Sequence, residues 1–154
     1  MTEDHKYFLV GDELDEVQYG INARTIILDF SDLDEPVNHI EYTSPNAVVD
    51  HNGYVVGNFF YLACYTGGLR ILDLKNIDSK EVSEKYYFDT HIEHEEHSAR
   101  KPRIIGFDDD HDKPRIGNEV LFNGAWSIYP FFKSGNLIVS DINEGLFVLK
   151  VDSF

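Results

Sequence analysis

The run DDDHDKPRIGNE places acids at its first, third, fifth and twelfth positions, Asp108, Asp110, Asp112 and Glu119. Carboxylates at those intervals suit a backbone loop wrapped around calcium, which takes about six to eight hard oxygen ligands. The sixth position is Lys113 where a calcium loop has the Gly of its sharp turn, and no helical pattern flanks the run. A charged insertion that holds no metal is therefore the competing expectation. Upstream, HIEHEEH spaces His91, His94 and His97 three apart, which would align their imidazoles on one helical turn. The spacing is not HExxH, and exposed histidines that gain charge below about pH 6.5 are the simpler expectation.

What must position these groups is a repeat. HNGYVVGNFFYLACYTGGLRILDL from His51 and FNGAWSIYPFFKSGNLIVSDINEGLFVLKV from Phe122 share an order: Asn-Gly, a short strand, Gly-Asn, an apolar strand, then Gly-Leu opening another. The middle unit reads as four strands, His51 to Val56, Asn58 to Tyr65, Leu69 to Leu74 and Val82 to Phe88, with KNIDSK as a turn. Four antiparallel strands joined by tight turns are the blade of a β-propeller. The last unit has strands at residues 125–129, 136–141 and 146–151 and lacks a fourth. The first has strands at 6–12, 24–30 and about 38–42, with the polar excursion ELDEVQYGINA in place of a compact turn. The expectation is an all-β chain, residues 1–154, forming a partial propeller of under three complete blades with a charged insertion at 91–119. Closed propellers have about four to eight blades, so either further blades belong to a longer protein or several copies associate.

Composition narrows the partners. Aromatic residues make up 14% of the 154, with eleven Phe and nine Tyr, which favours pleated sheet. The net charge of -15 repels phosphate backbones and anionic lipid, so nucleic acid is excluded as an expected partner. No run approaches the ~18 apolar residues of a membrane span, and MTEDHKYFLV has neither the basic start nor the apolar stretch of an export signal. The one cysteine, Cys64 in FFYLACY, reads as a buried, inert thiol. No G-x-S-x-G or Walker loop is present, and Gly67-Gly68 reads as a hairpin turn.

YFLVGDELDE from Tyr7, together with the His51 and Phe122 strings, resembles the C-terminal portion of the choice-of-anchor B proteins, bacterial secreted or surface propellers built from LVIVD-type repeats. The resemblance covers most of the chain, and residues 91–119 stand outside it. It implies an extracellular or cell-surface setting and earlier blades. It carries over no catalytic residue, because that family is defined by architecture.

Blade geometry puts the loop entering the first strand and the loop joining the second to the third on one face of the disc. That face would carry Asp12, Glu13, Asp15 and Glu16 from the first unit, Asp50, His51, Thr66 and Gly67 from the second, and Asp141, Asn143 and Glu144 from the third. Asp12, Glu13, His51, Trp126 and Asp141 are the candidate ligand-face residues. Trp126 either packs between blades, the expected case, or lines the channel mouth. Asn52-Gly53 and Asn123-Gly124 read as backbone turns. Acidic loops are commonly plain solvated surface, yet a concentrated acidic face also attracts calcium or cationic ligands. Two functions follow as expectations: a non-catalytic binding or interaction module, with calcium as its cofactor, or a hydrolase or lyase using these acids with His51.

Overall fold

The computed structural model describes residues 1–90, 104–105 and 120–151. The calcium-type run and the three insertion histidines lie outside them. Three antiparallel sheets make up the described chain. The first contains β1 (Tyr7–Gly11), β2 (Arg24–Asp29) and β3 (Val37–Thr43) in that order. The second contains β4 (Asn52–Val56), β5 (Phe59–Ala63), β6 (Leu69–Asp73) and β7 (Ser83–Phe88). The third contains β9 (Ala125–Tyr129), β10 (Asn136–Asp141) and β11 (Gly145–Lys150). The expectation that this last unit has no fourth strand is corrected: β8 (Ile104–Ile105) runs parallel to β11 at Val148 and Leu149. Pairing there gives partners to backbone groups that an edge strand would leave open.

The alternation of side chains decides how the sheets meet. Phe60, Leu62 and Cys64 turn one way and join Tyr7, Leu9 and Ile27 of the first sheet. Tyr61 and Ala63 turn the other way and join Ala125, Ile128, Leu137 and Val139 of the third. The middle sheet is thus covered on both faces, which is why FFYLAC is apolar without a break. Each fully buried Leu or Ile in these layers stabilises the fold by roughly 1.5–3 kcal/mol.

The three units also face the same way round. Ile27-Leu28, Ile71-Leu72 and Val148-Leu149 hold equivalent places, since Leu28, Leu72 and Leu149 pair with Phe8, Phe60 and Leu137. Ile27 faces the second sheet and Ile71 faces the third, whereas Leu72 faces back to the first and Leu149 back to the second. Register shifts fall at the same step, Ile27/Leu28 and Ile71/Leu72. At one edge the second and third sheets close up, where β9 lies against β4 and β5.

Two local readings change. The excursion between β1 and β2 contains a short helix, α1 (Asp15–Tyr19), closed by Gly20. Asp15 and Glu16 in the first turn of DEVQY suit the positive end of a helix, and Asp15 is bound by Arg24 of β2. Asn52 and Gly53 open β4 and make no turn; the Phe60 ring lies so close that a Cβ on Gly53 would meet it at 2.5 Å. Gly67-Gly68 does form the β5–β6 turn, with Gly68 N–H donating to Tyr65 O at 3.0 Å and Cys64 N–H to Gly68 O at 2.8 Å. Cys64 is a fully buried free thiol whose Sγ donates to Leu62 O at 3.9 Å.

Candidate functional site

Loops from all three sheets meet at the edge where β4 and β9 approach. Tyr65, in the β5–β6 turn, exchanges two backbone hydrogen bonds with Ala125 at the start of β9, at 3.0 and 2.9 Å. Gly124 allows this contact: its φ is +112°, and a Cβ there would lie 2.4 Å from the Tyr65 carbonyl oxygen. Asn123-Gly124 is therefore not the turn the sequence suggests: the glycine is needed for close approach between units. Ile142 N–H donates to Gly124 O at 2.8 Å, tying the β10–β11 turn to the same point.

His51 stands at the centre. Its ring lies 4.2 Å from that of Trp126 and 4.9 Å from that of Tyr65, edge-on to the latter. Nδ1 is 2.5 Å from the Trp126 carbonyl. A carbonyl only accepts, so Nδ1 carries a proton, and Nε2 is left to face Glu13 Oε1 at 3.5 Å. Glu13, from the β1–β2 loop, also accepts from the Tyr65 hydroxyl at 3.4 Å. Phe122 completes the group, 5.5 Å from Tyr65 and edge-on to it. Trp126 and Phe122 are each 47% exposed, whereas the His51 side chain is only 17% exposed. Burial, followed by the Glu13 charge, raises the Tyr65 hydroxyl above its ordinary value.

Of the candidate ligand-face residues, Glu13, His51 and Trp126 come together. Trp126, on β9 of the third sheet, packs its ring against His51 and, edge-on, Tyr65 of the second unit, and is still 47% exposed. Asp12 and Asp141 are used by their own turns. Asp12 Oδ1 accepts from Leu14 N–H at 3.0 Å. Asp141 Oδ1 accepts from Asn143 and Glu144 N–H at 2.8 and 2.9 Å, as an Asx turn requires. Among the described residues, no group of three His, Cys, Asp or Glu side chains could hold a metal ion.

A polar layer runs between the first and second sheets. Asp50, next to His51 in the chain, is buried and accepts from the Thr25 hydroxyl at 3.0 Å. Burial pushes its carboxyl up, against the opposing effects of Thr25, Cys64 and Arg70. Arg70 is buried and donates to Glu84 at 2.7 Å, and the Tyr42 hydroxyl donates to the same carboxylate at 3.3 Å. Glu16 of α1 is covered as well; burial raises its carboxyl first of all, with the Asp50 charge adding to the rise. The amides of Glu16 and Arg24 approach that carboxylate without forming a well-aligned hydrogen bond. Arg70 could have been noticed in GLRILDL as the one basic residue inside an apolar run. Its carboxylate partner sits fourteen residues on, beyond any short motif.

Comparison of the chain with family models, with curated proteins and with solved structures brought no match.

Proposed function

We propose that this chain is part of a β-propeller and that it serves as a non-catalytic binding module, with Glu13, Tyr65, Trp126 and Phe122 as the contact surface around His51. The observation that carries the reading is the convergence of loops from three sheets that repeat in one rotational sense. Such loops form a platform at one face of a propeller. Half-exposed aromatic rings beside a carboxylate suit a cationic side chain of a partner protein, held by cation–π attraction and by Glu13, and the net charge of -15 steers it inward. An extracellular or cell-surface setting follows from the resemblance to choice-of-anchor B proteins and belongs to the same proposal.

Trp126 is the only tryptophan, so its emission reports on this surface alone. Titration with an arginine-rich peptide should shift that emission saturably, and a neutral peptide of equal length should not. Glu13→Gln should weaken the response several-fold. A response equal for both peptides, or unchanged in Glu13→Gln, would refute the assignment.

Calcium dependence is the second part of the proposal and rests on the acid spacing at Asp108, Asp110, Asp112 and Glu119. Calorimetry should detect calcium in preference to magnesium, with the heat lost on replacing the three aspartates by alanine. Absence of heat and of thermal stabilisation at millimolar calcium removes it. The hydrolase or lyase alternative has one observation in its favour, the facing of His51 Nε2 and Glu13.

A further inference from the structure

Every group that the platform offers to a partner's cation is already within reach of one imidazole. His51 Nε2 stands 3.5 Å from Glu13 Oε1, the carboxylate assigned to the partner's charge. The same ring lies 4.2 Å from that of Trp126 and 4.9 Å from that of Tyr65. Nδ1 is committed as a donor to the Trp126 carbonyl, so a second proton on His51 has only Nε2 to occupy, where it points at Glu13. A neutral ring does not oppose a cation held over Trp126. An imidazolium does, because it sets a positive charge against the under face of the same indole. Imidazole is the side chain that exchanges this charge between about pH 5 and 8.

The surroundings leave that exchange to one pair. Among the described residues, the titratable groups that face His51 are Glu13 from the β1–β2 loop and Tyr65 from the β5–β6 turn. Tyr65 keeps its proton, because burial and then the Glu13 charge raise its hydroxyl above the ordinary value, and it donates to Glu13 at 3.4 Å. From β9 come only the carbonyl and ring of Trp126. Asp50, which precedes His51, is buried on the Thr25 hydroxyl, and Asp141 of the β10–β11 turn accepts from amides of its own turn. The His51 side chain is 17% exposed and that of Glu13 41%, so a partner reaches the carboxylate from outside while the imidazole reaches it from beneath. We propose that His51 is a built-in competitor for the cationic partner: once protonated it takes up Glu13 and charges the underside of Trp126, and the platform releases its partner as pH falls. This rests on the cation-binding reading above and adds the regulation of that site.

Competition makes binding and protonation linked events, so each cation bound to charged His51 expels a proton, and affinity falls at most about tenfold per pH unit. Anisotropy of a labelled arginine-rich peptide, at a constant ionic strength of about 0.15 M, tests this. The dissociation constant at pH 5.5 should exceed that at pH 7.5 by about fivefold or more, across a range in which carboxylates in general stay ionised. His51→Gln keeps a side-chain N–H donor and should show less than about a twofold change. A pH effect that came from the other histidines would persist in that variant. Calorimetry of the wild-type chain at pH 6.5, in buffers of low and high ionisation enthalpy, should show net proton release on binding, a reading that needs no variant. Equal affinity at the two pH values, tighter binding at pH 5.5, absence of proton release, or undiminished pH dependence in His51→Gln would each overturn the competitor role and leave the platform standing. A wild-type chain that fails to bind the peptide at pH 7.5 overturns the platform itself, and the competitor role with it.

Discussion

Replacing Gly124 by alanine should be far more damaging than replacing Gly135, although both glycines have a positive φ. Gly135 has φ +76° and open space where a Cβ would go, so Gly135→Ala meets only the backbone preference of an L-residue. That preference is worth about 1–2 kcal/mol. Gly124 has φ +112°, with a comparable backbone penalty of about 1–3 kcal/mol. Its new Cβ would also lie 2.4 Å from the Tyr65 carbonyl oxygen and 2.9 Å from the Thr66 nitrogen. Both are backbone atoms, which cannot swing aside as a side chain does. Relief requires β9 to draw back, breaking the two Tyr65–Ala125 hydrogen bonds, each worth roughly 0.5–1.5 kcal/mol net. The expected destabilisation is about 3–5 kcal/mol for Gly124→Ala against about 1–2 for Gly135→Ala. Urea unfolding followed by far-ultraviolet circular dichroism measures both. Trp126 emission in Gly124→Ala should also move toward the fully exposed value before global unfolding, because the ring loses its seat on His51. If the two variants lie within about 0.5 kcal/mol of each other, the Tyr65–Ala125 contact does not hold the second and third sheets together.

Three further outcomes follow from the buried layer. Cys64 is buried, and burial raises its thiol well above the ordinary value, so a thiol reagent should label it slowly in the native protein and rapidly in denaturant. Arg70→Met alone takes the cationic partner from the buried side chain of Glu84 and should cost about 3–5 kcal/mol, whereas Arg70→Met with Glu84→Leu should recover most of that in chemical denaturation. Asp50 has a folded-state pKa raised above 3.8, so the folded state holds its proton more tightly than the unfolded state. The stabilisation from that proton is complete below pH 3.8 and is lost as pH rises through the folded value. Asp50→Asn should therefore flatten the stability–pH curve above pH 3.8, leaving the slope due to Glu16.

The strands were legible because alternation and turn residues agree along most of the chain. Phe59 to Ala63 and Leu69 to Asp73 sit inside the runs that turn chemistry bounded, and β10 matches its expected limits at both ends. That the loops carrying Glu13 and His51 share a face was readable from connectivity, since antiparallel order fixes which loops share a face; their closeness to each other and to Trp126 was not. What was not readable depends on contacts between units. Asn52-Gly53 and Asn123-Gly124 look alike in sequence, yet one glycine admits the Phe60 ring and the other the Tyr65 backbone. The size of Trp126 announces a packing role, and its ring does rest on His51 and Tyr65; that nearly half of it stays exposed depends on neighbours the sequence does not show. Asp141 looked like a ligand, and its carboxylate is taken up by two amides of its own turn. The helix α1 was hidden because a five-residue segment is too short to display a period.

The central claim is that loops of successive sheets meet around His51, and the most direct measurement of it is a nuclear Overhauser experiment on the single tryptophan. With ring centroids 4.2 Å apart for His51–Trp126 and 5.8 Å for Tyr65–Trp126, the indole protons should give strong cross-peaks to the His51 ring and weaker ones to Tyr65. A Trp126 spectrum with neither contact, in protein that is otherwise folded, would contradict the account.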